Sequence, residues 1–191
     1  MTKGKKYKWR REGYKENTKG LLMVNTGDGK GKTTCALGLM MRAAGRGMNC
    51  CMIQFMKSKT DRYGEHESAE LLGIEVHTMG DGFTWDTNDP AQDIKTSEET
   101  WELCKQKMHS EEYDLLVFDE LVYVLDYKFL DLTKVLEEIK SFREKQPHIH
   151  LVLTGRNAPA ELIEIADLVT EMKEIKHPFH AGIFAQQGIE F

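Results

Sequence analysis

The chain has 191 residues, 40% hydrophobic and 30% charged, with a net charge of −5. This length buries enough apolar surface to form one domain without disulfide or metal staples, and no apolar run approaches the roughly 18 residues of a membrane span. Charge is uneven: residues 1–20 carry eight Lys/Arg against two Asp/Glu, so a basic arm precedes an acidic body.

Residues 1–19 are polar and basic, with Tyr7, Trp9 and Tyr14 interleaved. No apolar segment follows them, which argues against a secretory signal. Aromatics among Lys/Arg suit stacking on a nucleic-acid base; a solvated tail is the plain alternative, and the acidic body argues against nucleic acid. The four cysteines, Cys35, Cys50, Cys51 and Cys104, have no C-x-x-C spacing. That disfavours zinc or a disulfide framework and fits reduced thiols in the cytoplasm.

From residue 20 onward the pattern predicts a single α/β domain. A strand over 20–25 runs into Thr26-Gly27-Asp28-Gly29-Lys30-Gly31-Lys32-Thr33-Thr34, and a helix over 32–45 follows. Strand, glycine turn and helix in that order is the context of a phosphate-binding loop. The glycines let backbone N–H groups turn inward, and the helix N-terminus also favours an anion. Lys32 can reach the outer phosphates and Thr33 can offer its hydroxyl to Mg²⁺. The usual G-x-x-x-x-G-K-[ST] pattern has Gly at its first position; here that residue is Thr26.

Strand two, 49–55, is a continuous apolar run that fits a buried parallel strand, with Cys50 and Cys51 in the core. The loop from Met56 to Glu65 is a candidate wall of the site, because ligands bind at that edge of open α/β sheets. A helix over 64–72 and a strand over 74–79 precede Gly80-Asp81-Gly82-Phe83-Thr84-Trp85-Asp86. Phe83 and Trp85 either cover the core or form an aromatic wedge against a flat apolar ligand. A helix is predicted over 95–112 and a fourth strand over 113–118, ending in Asp119-Glu120. With the upstream phosphate loop, an acidic pair at a strand tip is the second half of an NTP site, able to hold Mg²⁺ directly or through water. Alternatively it caps the next helix.

An amphipathic helix is predicted over 132–145, with Leu132, Val135, Leu136, Ile139 and Phe142 at helical spacing. Strand five, 148–153, runs into Thr154-Gly155-Arg156. Arg156 lies on the same sheet edge as the phosphate loop, as a ligand group or a surface arginine. A helix over 159–166 and strand six over 168–172 complete the core. Strands alternating with helices predict a P-loop NTPase-like, three-layer α/β/α fold with a mainly parallel central sheet.

Together these stretches resemble the P-loop class of ATP:corrinoid adenosyltransferases over about residues 20–191. The resemblance is carried by the phosphate loop, Gln54-Phe55-Met56-Lys57, Gly82-Phe83-Thr84-Trp85, Asp119-Glu120-Leu121, Thr154-Gly155-Arg156, and the ending from Lys176-His177-Pro178 to Gly188-Ile189-Glu190. Asp28 and Ser58 depart from the family pattern, which carries Asn and Gly there. The resemblance implies transfer of the 5′-deoxyadenosyl group of ATP to the Co(I) centre of a corrinoid such as cobalamin, releasing triphosphate. Co(I) is itself a strong nucleophile, so no general base is needed. The backbone of Gly27 to Gly31, Lys32 and Mg²⁺ would stabilise the departing triphosphate, with Thr33, Asp119 and Glu120 holding the metal. Phe83 and Trp85 would exclude the lower axial ligand and ease reduction of Co(II). The resemblance also implies a homodimer, an electron-donating flavoprotein reductase, and an N-terminal arm that closes over the corrinoid. Two other classes fit the motifs alone. One is a small-molecule kinase with Asp81 or Asp86 as base; the other is an ATP-dependent nucleic-acid-binding module using the arm.

Overall fold

In the computed structural model, which describes residues 19–80 and 90–190, six strands alternate with helices. Strand β1 is Leu22–Thr26 and α1 is Lys32–Ala44; β2 is Cys50–Ser58, α2 is Gly64–Leu72 and β3 is Glu75–Gly80. Then come α3 at Pro90–His109, β4 at Leu115–Asp119, α4 at Leu121–Asp126, α5 at Leu132–Lys145, β5 at His150–Thr154, α6 at Ala160–Ile165 and β6 at Leu168–Glu171. A 3₁₀ turn, Pro178–Ala181, lies in the tail.

The strands form one sheet in the order β3-β2-β4-β5-β1-β6, and every neighbouring pair is parallel. The predicted α/β class holds. Helices cover both faces, which is why the inner strands read as unbroken apolar runs. On one face Leu22, Val24, Ile53, Phe118 and Leu153 pack with Trp101, Cys104 and Met108 of α3 and Val135, Ile139 and Phe142 of α5. On the other, Met23, Met52, Val117 and Val152 pack with Ala36, Met40 and Ala43 of α1 and Ala69 of α2. Each fully buried Leu, Ile or Phe contributes about 1.5–3 kcal/mol. Cys50 and Cys51 are both core residues, as expected.

Several boundaries move from their predicted places, the end of β2 and the start of α3 among the furthest. β2 runs to Ser58 rather than residue 55, because an irregularity after Gln54 lets Ser58 pair with Gly80. The polar Lys57 and Ser58 hide this extension from an apolar pattern. Helix α3 starts at Pro90, not residue 95; its first turn is polar, so hydrophobic spacing begins one turn later.

This topology puts the tips of β1, β4 and β5 side by side. β5 alone separates β1 from β4, so the phosphate loop after β1 and the acidic pair after β4 are roughly 10 Å apart in the sheet.

Candidate functional site

The loop between β1 and α1 is built against the chain that leaves β6. Gly27 has φ 95°, and a Cβ there would sit 2.4 Å from the carbonyl oxygen of Met172. Both facts demand glycine. The N–H of Met172 donates to Thr26 O at 2.8 Å, and the N–H of Gly29 donates to Met172 O at 2.7 Å. Gly29 therefore turns its N–H out toward β6 rather than into the loop. Thr26, in the position where the usual pattern has Gly, accepts the Ala158 N–H on Oγ1 at 3.1 Å. Its hydroxyl ties the phosphate loop to the turn after β5.

Helix α1 opens at Gly31, φ 111°, with no side-chain cap and no acidic residue in its first turn. Its first N–H groups are thus left to an anion. The Lys32 ammonium curls over the loop and donates to Gly27 O at 2.6 Å and Gly29 O at 2.8 Å. Burial, then the charge of Arg156, lowers its pKa, while Asp28, Glu120 and Asp119 oppose the shift. Arg156 stands exposed in the turn after β5, close enough to be felt by Lys32. Asp28, Lys30 and Thr34 are exposed on the rim, and Lys30 pairs with Glu190 of the tail.

Thr33 faces the acidic pair. Its Oγ1 donates to Asp119 Oδ1 at 2.9 Å, and Thr154 Oγ1 donates to the same oxygen at 2.6 Å. Gln54 Nε2 donates to Asp119 Oδ2 at 3.4 Å. Asp119 is 0% exposed, and among the described residues these neutral donors are its hydrogen-bond partners. Glu120 adopts φ 65°, a left-handed conformation that costs a glutamate about 1 kcal/mol. Its N–H donates to Thr154 Oγ1 at 2.8 Å. Although the residue as a whole is half-buried, Oε2 is sealed from solvent and has no hydrogen-bond partner among the described residues. Burial, then the Asp119 charge, pushes the Glu120 carboxyl up to about 8.

A strained backbone, an orphaned carboxylate oxygen and a second carboxylate beside a hydroxyl fit a hard dication. Thr33, Asp119 and Glu120 are the residues that could hold it, directly or through water. A second cluster, Cys51, Glu75 and His77, brings its ligand atoms within 4.8 Å of one another. There the Lys107 ammonium already bonds Glu75 at 2.8 Å, and burial holds the Cys51 thiol up at about 12. That cluster sits at the start of β3, at the opposite end of the sheet from the phosphate loop.

The structure thus brings together Thr26 to Thr34, Asp119, Glu120 and Arg156. Phe83 and Trp85 lie outside the described residues, as do Asp81 and Asp86. The roles of Gln54 and Thr154 are new. Both stand in stretches that carried the family resemblance, but nothing local to either residue indicates that they converge on Asp119.

Comparison with known proteins bears on this geometry. A solved flagellar accessory protein, FlaH of Methanocaldococcus jannaschii, superposes with a TM-score of 0.53 over 81% of this chain and 71% of its own, at 10% identity. That likeness concerns the fold alone. A corrinoid adenosyltransferase of Sinorhizobium sp is 45% identical over 181 residues, 93% of this chain and 83% of the relative. One from Pseudomonas aeruginosa is 42% identical over 175 residues, 91% and 84% of the two chains. One from Escherichia coli is 36% identical over 177 residues, 92% and 88%. Residues 18–191 match the family described as ATP:corrinoid adenosyltransferase BtuR/CobO/CobP. With a phosphate loop after β1, an acidic pair at the tip of β4 one strand removed, and relatives matched along most of their length, the chain belongs to the ATP:corrinoid adenosyltransferase family.

Proposed function

We propose that this chain transfers the 5′-deoxyadenosyl group of ATP to the Co(I) centre of a corrinoid, a step of cobalamin biosynthesis or salvage. The Co(I) electron pair attacks the 5′-carbon, the C5′–O5′ bond breaks, and its electrons leave with triphosphate. The observation that carries the reading is the family match over residues 18–191, and the Thr33–Asp119 hydrogen bond at 2.9 Å supports it by joining the phosphate loop to the acidic pair. Charge grows on the departing oxygen, so the residues needed are donors and cations. The loop N–H groups other than that of Gly29, together with those at the start of α1, bind the triphosphate. Lys32 exchanges its two loop carbonyls for phosphate oxygens, and Arg156 closes the exposed side. Thr33, Asp119 and Glu120 hold Mg²⁺, which neutralises triphosphate charge when bound.

Phe83 and Trp85 are assigned to the corrinoid face, where an apolar wedge excludes the lower axial ligand and makes Co(II) easier to reduce. A flavoprotein reductase supplies that electron, and the basic arm of residues 1–19 closes over the corrinoid. We place the protein in the cytoplasm as a homodimer; no helix among the described residues is long and apolar enough to cross a membrane.

The test is anaerobic incubation with ATP, Mg²⁺ and chemically reduced cob(I)alamin. A light-sensitive alkylcobalamin with triphosphate is the expected outcome. An unchanged corrinoid spectrum, with ADP and orthophosphate appearing, would overturn it in favour of a kinase or ATPase.

A further inference from the structure

We propose that His66 is a positioning residue for the metal-binding carboxylate Asp119, acting through the side-chain amide of Gln54. This rests on the reading of Asp119 and Glu120 as the site of a nucleotide-bound dication.

The argument begins with register. Gln54 of β2 lies opposite Asp119 of β4 on one side and opposite Thr78 of β3 on the other. In parallel strands, residues in register share a face, so the three side chains line up across the sheet. Gln54 is 0% exposed, so its amide must find partners within the protein.

The direction of each bond follows from the first turn of α2. The Tyr63 backbone N–H donates to His66 Nδ1 at 3.1 Å. Nδ1 is therefore the acceptor, and the ring proton sits on Nε2. Burial lowers the His66 pKa, which keeps the ring neutral. Nε2–H then faces Gln54 Oε1 at 2.9 Å, with Thr78 Oγ1 at 3.1 Å. Thr78 Oγ1 also donates to Gln54 Oε1 at 3.2 Å. Two donors converge on one amide oxygen, and this orients the amide nitrogen toward Asp119 Oδ2 at 3.4 Å. A flipped amide would set N–H against N–H at His66 and oxygen against carboxylate at Asp119. The imidazole thus decides which end of the amide the carboxylate meets.

Asp119 has two oxygens with different support. Oδ1 is held by Thr33 and Thr154, whereas Oδ2 is held by Gln54. Loss of the oriented amide frees Oδ2 to rotate and leaves a buried anion short of a donor. The turn that carries His66 is itself fastened: Lys57 pairs with Glu65 and lies 4.6 Å over the Tyr63 ring. Outer partners of this kind typically tune metal affinity by 10- to 100-fold.

The test uses Mn²⁺ as probe, read by the loss of its free-ion EPR signal in the presence of ATP, alongside calorimetry of ATP binding without metal. His66→Glu keeps an acceptor for the Tyr63 N–H but offers Gln54 no donor, and its added negative charge would by itself favour a cation. His66→Gln can supply both acceptor and donor. Thr78→Val removes the second donor from a site remote from the helix turn. We expect His66→Ala and His66→Glu to weaken Mn²⁺ uptake roughly tenfold with metal-free ATP binding unchanged, and His66→Gln to restore it. Thr78→Val should show a smaller loss in the same direction. Native Mn²⁺ affinity in His66→Glu and Thr78→Val would overturn the proposal. So would equal losses with and without metal, which would assign His66 to folding of the nucleotide pocket. If the native protein takes up no Mn²⁺ with ATP, or Glu120→Gln leaves uptake unchanged, the dication reading itself fails and takes the proposal with it.

Discussion

At the scale of single residues, Glu120 concentrates the unusual chemistry. Its ordinary pKa of 4.5 rises to about 8 because its carboxyl is buried beside Asp119. Between those values the folded chain keeps a proton that the unfolded chain has released. Stability from this group is therefore fully present below pH 4.5 and is lost as pH rises through about 8. The slope approaches about 1.4 kcal/mol per pH unit within that window. Denaturant unfolding of the metal-free protein between pH 5.5 and 8.5 should show the decline, and Glu120→Gln should flatten it. A dication displaces the same proton, so ATP·Mg²⁺ binding at pH 7 should release about one proton. Calorimetry in buffers of different ionisation heat measures that number; zero would place the metal elsewhere. Lys32 allows a simpler prediction. Its ammonium rests on loop carbonyls at 2.6 and 2.8 Å and needs only a small shift to meet triphosphate. Lys32→Ala should lower kcat by about 10²- to 10³-fold, the cost of one oxyanion donor, with the fold intact by circular dichroism.

Among elements, the junction of β5 and α4 governs whether the acidic pair is correctly placed. Gly155 has φ 142°, and a Cβ there would lie 2.7 Å from Val122 Cβ and 2.8 Å from Tyr123 N. Helix α4 begins immediately after Glu120, so anything that pushes α4 moves the carboxylate. Gly155→Ala should cost about 3 kcal/mol in thermal unfolding, and should also lower metal-dependent ATP binding in the fraction that folds. Element existence was readable because the inner strands are short apolar runs and α5 repeats apolar residues at helical spacing. Element ends were less so. Lys57 and Ser58 are polar yet extend β2, since pairing with Gly80 satisfies their backbone regardless of side chain. The first turn of α3 is polar because it lies beyond the apolar stripe, though Pro90 marks its start.

For the whole molecule, the proposed reaction asks the phosphate site and the wedge assigned to Phe83 and Trp85 to act together from different parts of the chain. The parallel sheet brings the C-terminal ends of β1, β3, β4 and β5 to one edge, and in sequence Phe83 and Trp85 follow the end of β3 at Gly80. If that segment tunes the metal centre of the substrate, Trp85→Ala should impair turnover of cob(II)alamin under mild reduction far more than turnover of prepared cob(I)alamin. Equal losses would assign Trp85 to binding alone.

The sequence by itself determined the chemistry that is local along the chain. Thr26 to Thr34 and Asp119-Glu120 are continuous stretches whose glycine, lysine, hydroxyl and carboxylate groups act within a few residues of one another. A strand–turn–helix context suffices to orient them. Tertiary structure decided what surrounds them. Gln54 and Thr154 reach Asp119, and His66 and Thr78 reach Gln54, from different elements because β2 sits between β3 and β4 and β5 lies on the far side of β4. Nothing in their local sequence distinguishes a buried, oriented amide from a surface glutamine. Strand order and register are set by packing of both sheet faces, a non-local free energy, and they turn four scattered polar residues into the support of one carboxylate.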